Sequence, residues 1–265
     1  MENKIQLAAV GDNCMDVYRS MNKAYPGGNP VNVAVYFTRL GGSASYTGVV
    51  GTDRYGALMK ESICKMGVDI SNVHELEGST AITYVELVNG ERIFGDYEEG
   101  VLADFHLSDA DIAYIGKHDM MVTGLWGNVH GDLARIKETG VPIAFDAATR
   151  PEDEAAKIAL PSVDYFFFAS DDGDTPALRE RMMELQSQGP QIVVCTLGAQ
   201  GSIAYDGEMF TSYGIVPCKV VDTMGAGDSY IAGFLKSILE NKPIRSCMEA
   251  GAQNAGITLG YQGAW

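Results

Sequence analysis

Short, continuous apolar runs recur along the chain and are separated by segments of helical spacing. Ile5–Val10, Ser43–Val50, Met120–Thr123, Ile143–Asp146, Tyr165–Ala169 and Ile192–Leu197 carry few polar interruptions. Such runs are expected of strands buried on both faces. Val31–Leu40, the stretch from Gly56 to about Met66, Pro176–Gln188 and Ser229–Glu240 read as helices; in the last, Ile231, Phe234, Leu235, Ile238 and Leu239 share one face. Alternation of the two patterns predicts an α/β protein with a doubly wound, mostly parallel sheet flanked by helices. The alternation breaks once. Thr80–Leu87 and Glu91–Tyr97 are β-rich and joined by Asn89-Gly90, a strong hairpin signal with no helix between. A hairpin there, from about 79 to 97, predicts a flap or small β lid outside the parallel sheet. No internal repeat, low-complexity segment or linker divides residues 1–265, so a single domain is expected.

Composition narrows the function more than the fold. The net charge of −16 argues against nucleic acid and anionic membrane surfaces as partners. It leaves room for a phosphate ligand, because a local nest of backbone N–H groups binds an anion even on an acidic protein. No apolar run approaches the ~20 residues of a membrane span, and Met1-Glu2-Asn3-Lys4 leads into a strand without a signal-peptide layout. The five cysteines are widely spaced with no Cys-x-x-Cys pair, and the four histidines do not cluster. Neither a disulfide framework nor a zinc site is expected, and the setting is read as cytoplasmic and reduced.

Candidate chemistry concentrates in Asp222-Thr223-Met224-Gly225-Ala226-Gly227-Asp228. Lys219-Val220-Val221 before it reads as the end of a strand, and a helix follows. A glycine turn opening a helix brings backbone N–H groups and the positive end of the helix dipole to one point. A carboxylate in the same turn repels a resting anion but suits a reacting one: the N–H groups of Gly225, Ala226 and Gly227 hold a migrating phosphoryl group, and Asp228 takes the proton of the attacking hydroxyl. The same residues also fit a plain glycine turn with a helix-capping aspartate. Asp12 and Asp16 follow the first strand, where ligands bind in open α/β sheets, and read either as substrate contacts or as solvated loop residues. Gly27-Gly28-Asn29-Pro30 starts a helix with Asn29 as its expected cap, which leaves Asn32 as an unexplained polar residue among valines and Ala34. Leu197–Gly201 and Ser202–Tyr205 form a hairpin that can wall a nucleotide pocket. A Gly-x-Gly-x-x-Gly turn is absent after the first strand, which removes the usual support for an NAD-dependent oxidoreductase.

Together these segments resemble the ribokinase-like (PfkB) family of carbohydrate kinases over nearly the whole chain. The motifs are D-T-x-G-A-G-D at Asp222–Asp228, Gly27-Gly28-Asn29 through Asn32 to Ala34, T-L-G-x-x-G at Thr196–Gly201 and V-G-x-D-x-x-G at Val50–Gly56. The resemblance implies Asp228 as catalytic base and Gly225, Ala226 and Gly227 as the anion hole. It implies Asp12, Asp16, Gly28, Asn29 and Asn32 at the sugar. Thr196, Gly198, Gly201 and Thr223 fall on the nucleotide side, with Asn254 as an adenine neighbour. ATP and Mg²⁺ are the implied cofactors, with K⁺ as a monovalent cation beside Asp222. A lid built from about 79–97 and part of about 12–26 is implied too, as is a homodimer formed through it. The family's Asn-x-x-Glu, which orders Mg²⁺ through water, is replaced here by Ala169-Ser170-Asp171-Asp172-Gly173-Asp174, leaving Asp172 or Asp174 for that place. Gly11–Asp16, Phe94–Phe105 and Gly263-Ala264-Trp265 are similar to the fructosamine-phosphorylating branch. The implied reaction is transfer to the 6-hydroxyl of a fructosamine such as fructoselysine, with Asp96, Glu98 and Glu99 favouring its ammonium. Kinases of plain sugars or nucleosides, and a catalytically silent binding protein on the same fold, are the alternatives.

Overall fold

The structure, a computed structural model, describes residues 4–88 and 91–265. In chain order the strands are β1 (Gln6–Val10), β2 (Cys14–Tyr18), β3 (Lys23–Gly27), β4 (Ser43–Gly51), β5 (Val73–Leu76), β6 (Ile82–Val88), β7 (Glu91–Glu98), β8 (Met120–Gly124), β9 (Ile143–Asp146), β10 (Tyr165–Ala169), β11 (Ile192–Thr196), β12 (Ser202–Tyr205) and β13 (Phe210–Tyr213). The helices are α1 (Asn29–Arg39), α2 (Arg54–Lys65), α3 (Asp109–Ile115), α4 (Leu133–Lys137), α5 (Glu154–Ala159), α6 (Pro176–Gln186), α7 (Ala226–Leu239) and α8 (Ile244–Thr258). The turn expected at Asn89-Gly90 lies outside the described residues.

Nine strands form one sheet in the order β13-β12-β11-β10-β9-β8-β1-β4-β5. All its pairings are parallel except β11–β12 and β12–β13. Each apolar strand feeds two cores. Leu7 and Ala9 of β1 pack on the α1, α7 and α8 side, whereas Ala8 and Val10 pack on the side of α3 to α6. Both faces are covered, which is why these runs read as continuous rather than alternating. α7 is fixed to the sheet by Phe234, fully buried and edge-on to Phe167 of β10 at 5.4 Å. Burying one such ring contributes about 1.5–3 kcal/mol, and the contact sets where the N-terminus of α7 emerges.

A second sheet of four strands has the order β3-β2-β6-β7. The hairpin β6–β7 is joined there by β2 and β3, which fall in the 12–26 stretch expected to contribute to the lid. Pro26 is tolerated in β3 because that strand lies at the edge. One expected strand is absent. Lys219-Val220-Val221 is exposed coil, with Val220 58% and Val221 55% accessible. The Val221 and Asp222 N–H groups both donate to the Leu259 carbonyl beyond α8, so this segment is pinned to a helix end instead of a sheet.

Candidate active site

The chain runs from β1 outward to β4 and β5, then returns to the other side of β1 to build β8, β9, β10 and β11. That reversal opens a crevice at the carboxyl ends of β1 and β8, the usual ligand position in an open α/β sheet. Asp12 follows β1, Asp146 ends β9, and the N-termini of α1 and α7 point into the same place. Their convergence is recorded in short hydrogen bonds. Asn29 Nδ2 donates to Asp146 Oδ2 and to Asp228 Oδ1, both at 2.7 Å. Asn32 Nδ2 donates to Asp228 Oδ2 at 2.7 Å. The Asn29 backbone N–H donates to Asp12 Oδ2 at 3.3 Å. Asn29 therefore does not cap α1 as the sequence suggests. The cap position is Gly28, without a side-chain bond, and Asn29 sits inside the first turn with its amide spent on two carboxylates. Asn32, too, turns its amide to Asp228.

Two glycines permit this closeness. Gly28 has φ +108°, and a Cβ there would lie 2.7 Å from the Asn13 Cα. Gly225, the cap of α7, has φ +72°, and its Cβ would meet the Tyr36 hydroxyl at 2.4 Å. Only glycine takes both the left-handed backbone and the contact. Gly225, Ala226 and Gly227 lead straight to Asp228 in the first turn of α7, where N–H groups have no intrahelical acceptor.

Three carboxylates meet in a poorly solvated place. Burial raises Asp12 to about 7, opposed by the Asn29 N–H and reinforced by the charge of Asp228. Burial and the same charge raise Asp146 to about 7. Asp228 rises less, to about 6, because the Asn32 and Asn29 amides stabilise its ionised form against burial. At neutral pH Asp228 is thus the most readily ionised of the three, as a general base requires. Carboxylates perturbed together in a cleft are the electrostatic pattern by which an active site is recognised. Asp146 was not singled out from sequence; the available signal was a carboxylate ending a strand buried on both faces. Cys14 lies nearby, its Sγ 3.0 Å from Thr83 Oγ1, but burial pushes its thiol up to about 12, and it is no nucleophile.

The four-stranded sheet presents one face here. Register pairs Asp16 with Thr83, and Thr83 with Tyr97, so these side chains share a face. Asp16 and Tyr25 line a recess with Met224 and Gly263 from the glycine-turn side. Tyr97 thus lies on the Asp16 side of the sheet, where partial burial and the neighbouring Cys14, Asp12 and Glu99 raise its hydroxyl. Glu99 accepts a bond from Asn128 Nδ2 at 3.2 Å. Glu98 pairs with Ile82, on the opposite face. Asp96 falls in the register shift opposite Tyr84, on that opposite face as well. Both are exposed. The expected acidic lid is therefore corrected: Asp96 and Glu98 lie on the sheet face away from Asp16 and Tyr97, and Glu99 follows the strand, held by Asn128.

On the other side of the glycine turn lies a cavity of about 570 Å³. It is lined by Thr196, Gly198, Gly201 and Thr223, as expected, and by apolar Ile215, Val216, Val220, Ala255 and Leu259. Its size and mixed lining suit a nucleoside. Asn254 is not part of the lining. It is buried between helices, with Nδ2 donating to the Ser229 carbonyl at 2.7 Å, so it joins α8 to α7. Asp222 spends its oxygens on loop geometry: Oδ1 accepts from Met224 N–H at 3.0 Å and Oδ2 from Gly263 N–H at 2.7 Å. Asp174 is held by both arms of Arg179 at 2.7 and 2.8 Å, while Asp172 is exposed and turned onto Ser170. Among the described residues no group of three His, Cys, Asp or Glu side chains could hold a metal ion, and no helix is long and apolar enough to cross a membrane.

The chain resembles known proteins end to end. It is 43% identical to the fructoselysine 6-kinase of Shigella flexneri over 259 residues, 98% of this chain and 99% of that one. It is 32% identical to a fructosamine kinase of Bacillus subtilis (strain 168), over 98% of this chain and 93% of the other. The structure of Arabidopsis thaliana ribokinase complexed with ribose and ATP superposes with a TM-score of 0.88, at 20% identity, covering 98% of this chain and 94% of that one. Residues 5–265 match the profile described as pfkB family carbohydrate kinase, and the chain belongs to that family.

Proposed function

We propose that the chain transfers the γ-phosphoryl group of ATP to the 6-hydroxyl of a fructosamine such as fructoselysine. The observation that carries the reaction is Asp228, with each carboxylate oxygen held by a separate asparagine amide at 2.7 Å, beside a left-handed glycine at the N-terminus of a helix. Held this way, Asp228 keeps its ionised form and a fixed direction. It accepts the proton of the sugar hydroxyl as that oxygen bonds to phosphorus and the bond to the departing ADP breaks. The first-turn N–H groups of α7 stabilise the charge on the transferring group. ATP supplies the phosphoryl group. The residues that suit its nucleoside are the apolar wall from Ile215 to Val220 together with Ala255 and Leu259, and Thr196 and Thr223 supply polar anchors. Mg²⁺ would accompany the nucleotide phosphates and offset their charge, with Asp172 the acidic residue to order it, and K⁺ would lie beside Asp222.

Substrate choice rests on the relatives' names and on charge. Asp16 and Glu99 make the sugar side acidic, which favours a cationic amine over a neutral sugar. We read the four-stranded sheet as the lid that excludes water, the competing acceptor. Its edge strands β3 and β7 carry unpaired backbone groups suited to a second copy of the chain. ADP release with fructoselysine, fructose, ribose and adenosine tests the reading. Fructoselysine should be used with the highest kcat/KM, and Asp228→Asn should lower kcat by about 10²–10⁴-fold. Equal use of fructose or ribose would overturn the substrate; wild-type turnover by Asp228→Asn would overturn the base.

A further inference from the structure

The last five residues, 261–265, reach back into the catalytic centre. Gly263 N–H donates to Asp222, the same carboxylate that holds Met224 of the glycine turn. The Ala264 carbonyl accepts from the Tyr36 hydroxyl and, at 3.1 Å, from the Tyr261 hydroxyl. Arg39 Nη1 donates to the Tyr261 hydroxyl at 2.9 Å. These contacts deliver the half-buried Trp265 to α1, where its indole Nε1 donates to Asn32 Oδ1 at 2.7 Å. Asn32 in turn donates to Asp228 Oδ2 at 2.7 Å.

An asparagine amide has a donor end and an acceptor end of nearly the same shape. Turned one way, Asn32 stabilises the ionised carboxylate; flipped, it sets an oxygen against an oxygen. An indole N–H is a donor only, so it selects the orientation in which the Asn32 oxygen faces Trp265 and the NH₂ faces Asp228. We infer that Trp265 is a positioning residue for phosphoryl transfer, acting through Asn32 to hold Asp228 in its proton-accepting state. This rests on Asp228 being the base, and goes beyond that assignment by giving the tail a part in the chemistry. The other groups around Asp228 are Asn29 and Tyr36 of α1, Asp146 of β9 and Asp12 after β1. None of these replaces the donor that Asn32 supplies to Oδ2.

Trp265→Phe keeps an aromatic body and removes the N–H. Measured by ADP release with fructoselysine, it should lower kcat about tenfold with KM changed less than twofold. The acid limb of the kcat profile should move up by about half to one pH unit, because a carboxylate that loses an oriented donor holds its proton to higher pH. In an Asn32→Ala background the same change should do nothing further, since the path to Asp228 is already cut. A merely structural tail would lower stability without moving the pH limb and would add to Asn32→Ala. In Trp126→Phe the chain has one indole, and its ¹⁵N–¹H resonance should titrate with the midpoint of kcat; this reading needs no change at Trp265. A flat indole resonance, a wild-type pH profile in Trp265→Phe, or additive losses in the double variant would overturn the inference. If Asp228→Asn is inactive while Trp265→Phe behaves as wild type, only this inference falls. Wild-type turnover by Asp228→Asn removes the base assignment and this one with it.

Discussion

Asp12→Asn should make the protein more stable, and by an amount that depends on pH. Asp12 is 5% accessible; Oδ2 has a single long bond at 3.3 Å, and Oδ1 is buried with no hydrogen-bond partner. Its folded-state pKa of about 7 lies well above the ordinary 3.8. In the unfolded chain Asp12 ionises freely above about pH 4, whereas the folded chain holds it protonated until about 7. The folded state therefore binds more protons in that window, and stability falls as pH rises through it. About three pH units at 1.36 kcal/mol each give roughly 4 kcal/mol at pH 8. Asp12 shares its field with Asp146 and Asp228, and relaxation around a lone charge reduces the figure, so about 2–4 kcal/mol is the expected gain. For a chain of this size that is roughly 4–8 °C in Tm at pH 8, shrinking to about a quarter of that at pH 4.5. Thermal melts of both proteins from pH 4.5 to 8.5 check it. A gain that does not vary with pH, or a loss at pH 8, would refute the reasoning from the buried carboxylate. The substitution should also raise KM for fructoselysine, since a destabilising charge kept in a cleft is expected where function needs it.

Two further pairs of substitutions test the geometry. Gly225→Ala places a methyl group 2.4 Å from the Tyr36 hydroxyl at φ +72°, so it should cost about 2 kcal/mol or more in chemical denaturation and lower kcat. Gly227→Ala has open space around its Cβ and should melt as wild type; equal destabilisation by the two would contradict the packing argument. Glu99→Gln should raise KM for fructoselysine while leaving fructose unchanged, and Glu98→Gln should alter neither. The reverse pattern would place the amine on the other face of the four-stranded sheet.

The parallel sheet was legible because strands buried on both faces leave an unmistakable apolar trace. Ile143–Asp146 and Ile192–Thr196 fall within a residue or so of where the pattern put them. β2 and β3 leave no such trace. Cys-Met-Asp-Val-Tyr and Lys-Ala-Tyr-Pro-Gly are short, partly exposed and interrupted by charge and proline, since only one side of that sheet meets the core. Val220 and Val221 misled in the other direction. Their β-branched side chains suggest a strand, yet Val220 lines the nucleotide-side cavity, and the backbone bonds a helix end. Propensity describes what a residue tolerates, and here a surface for a ligand used it instead of a ladder.

The site divides along the same line. Asp228, Gly225 and Gly28 were legible because local backbone geometry demands them, and a turn is a local object. Asp146, Tyr97 and Trp265 owe their places to contacts between distant segments, for which periodicity has no symbol. The acidic lid is the sharpest case. Asp96, Tyr97 and Glu98 are consecutive, and a strand sends neighbours to opposite faces. Whether Asp96 or Tyr97 looks into the crevice is settled by the register shift between Thr83 and Val85, where β7 gains a residue on β6. Charge in the sequence predicted that this loop would be acidic toward a ligand. A single extra residue in one strand turned Asp96 and Glu98 away from the crevice, which leaves Glu99, just past the strand and a charged neighbour of Tyr97, as the carboxylate through which an amine would be felt.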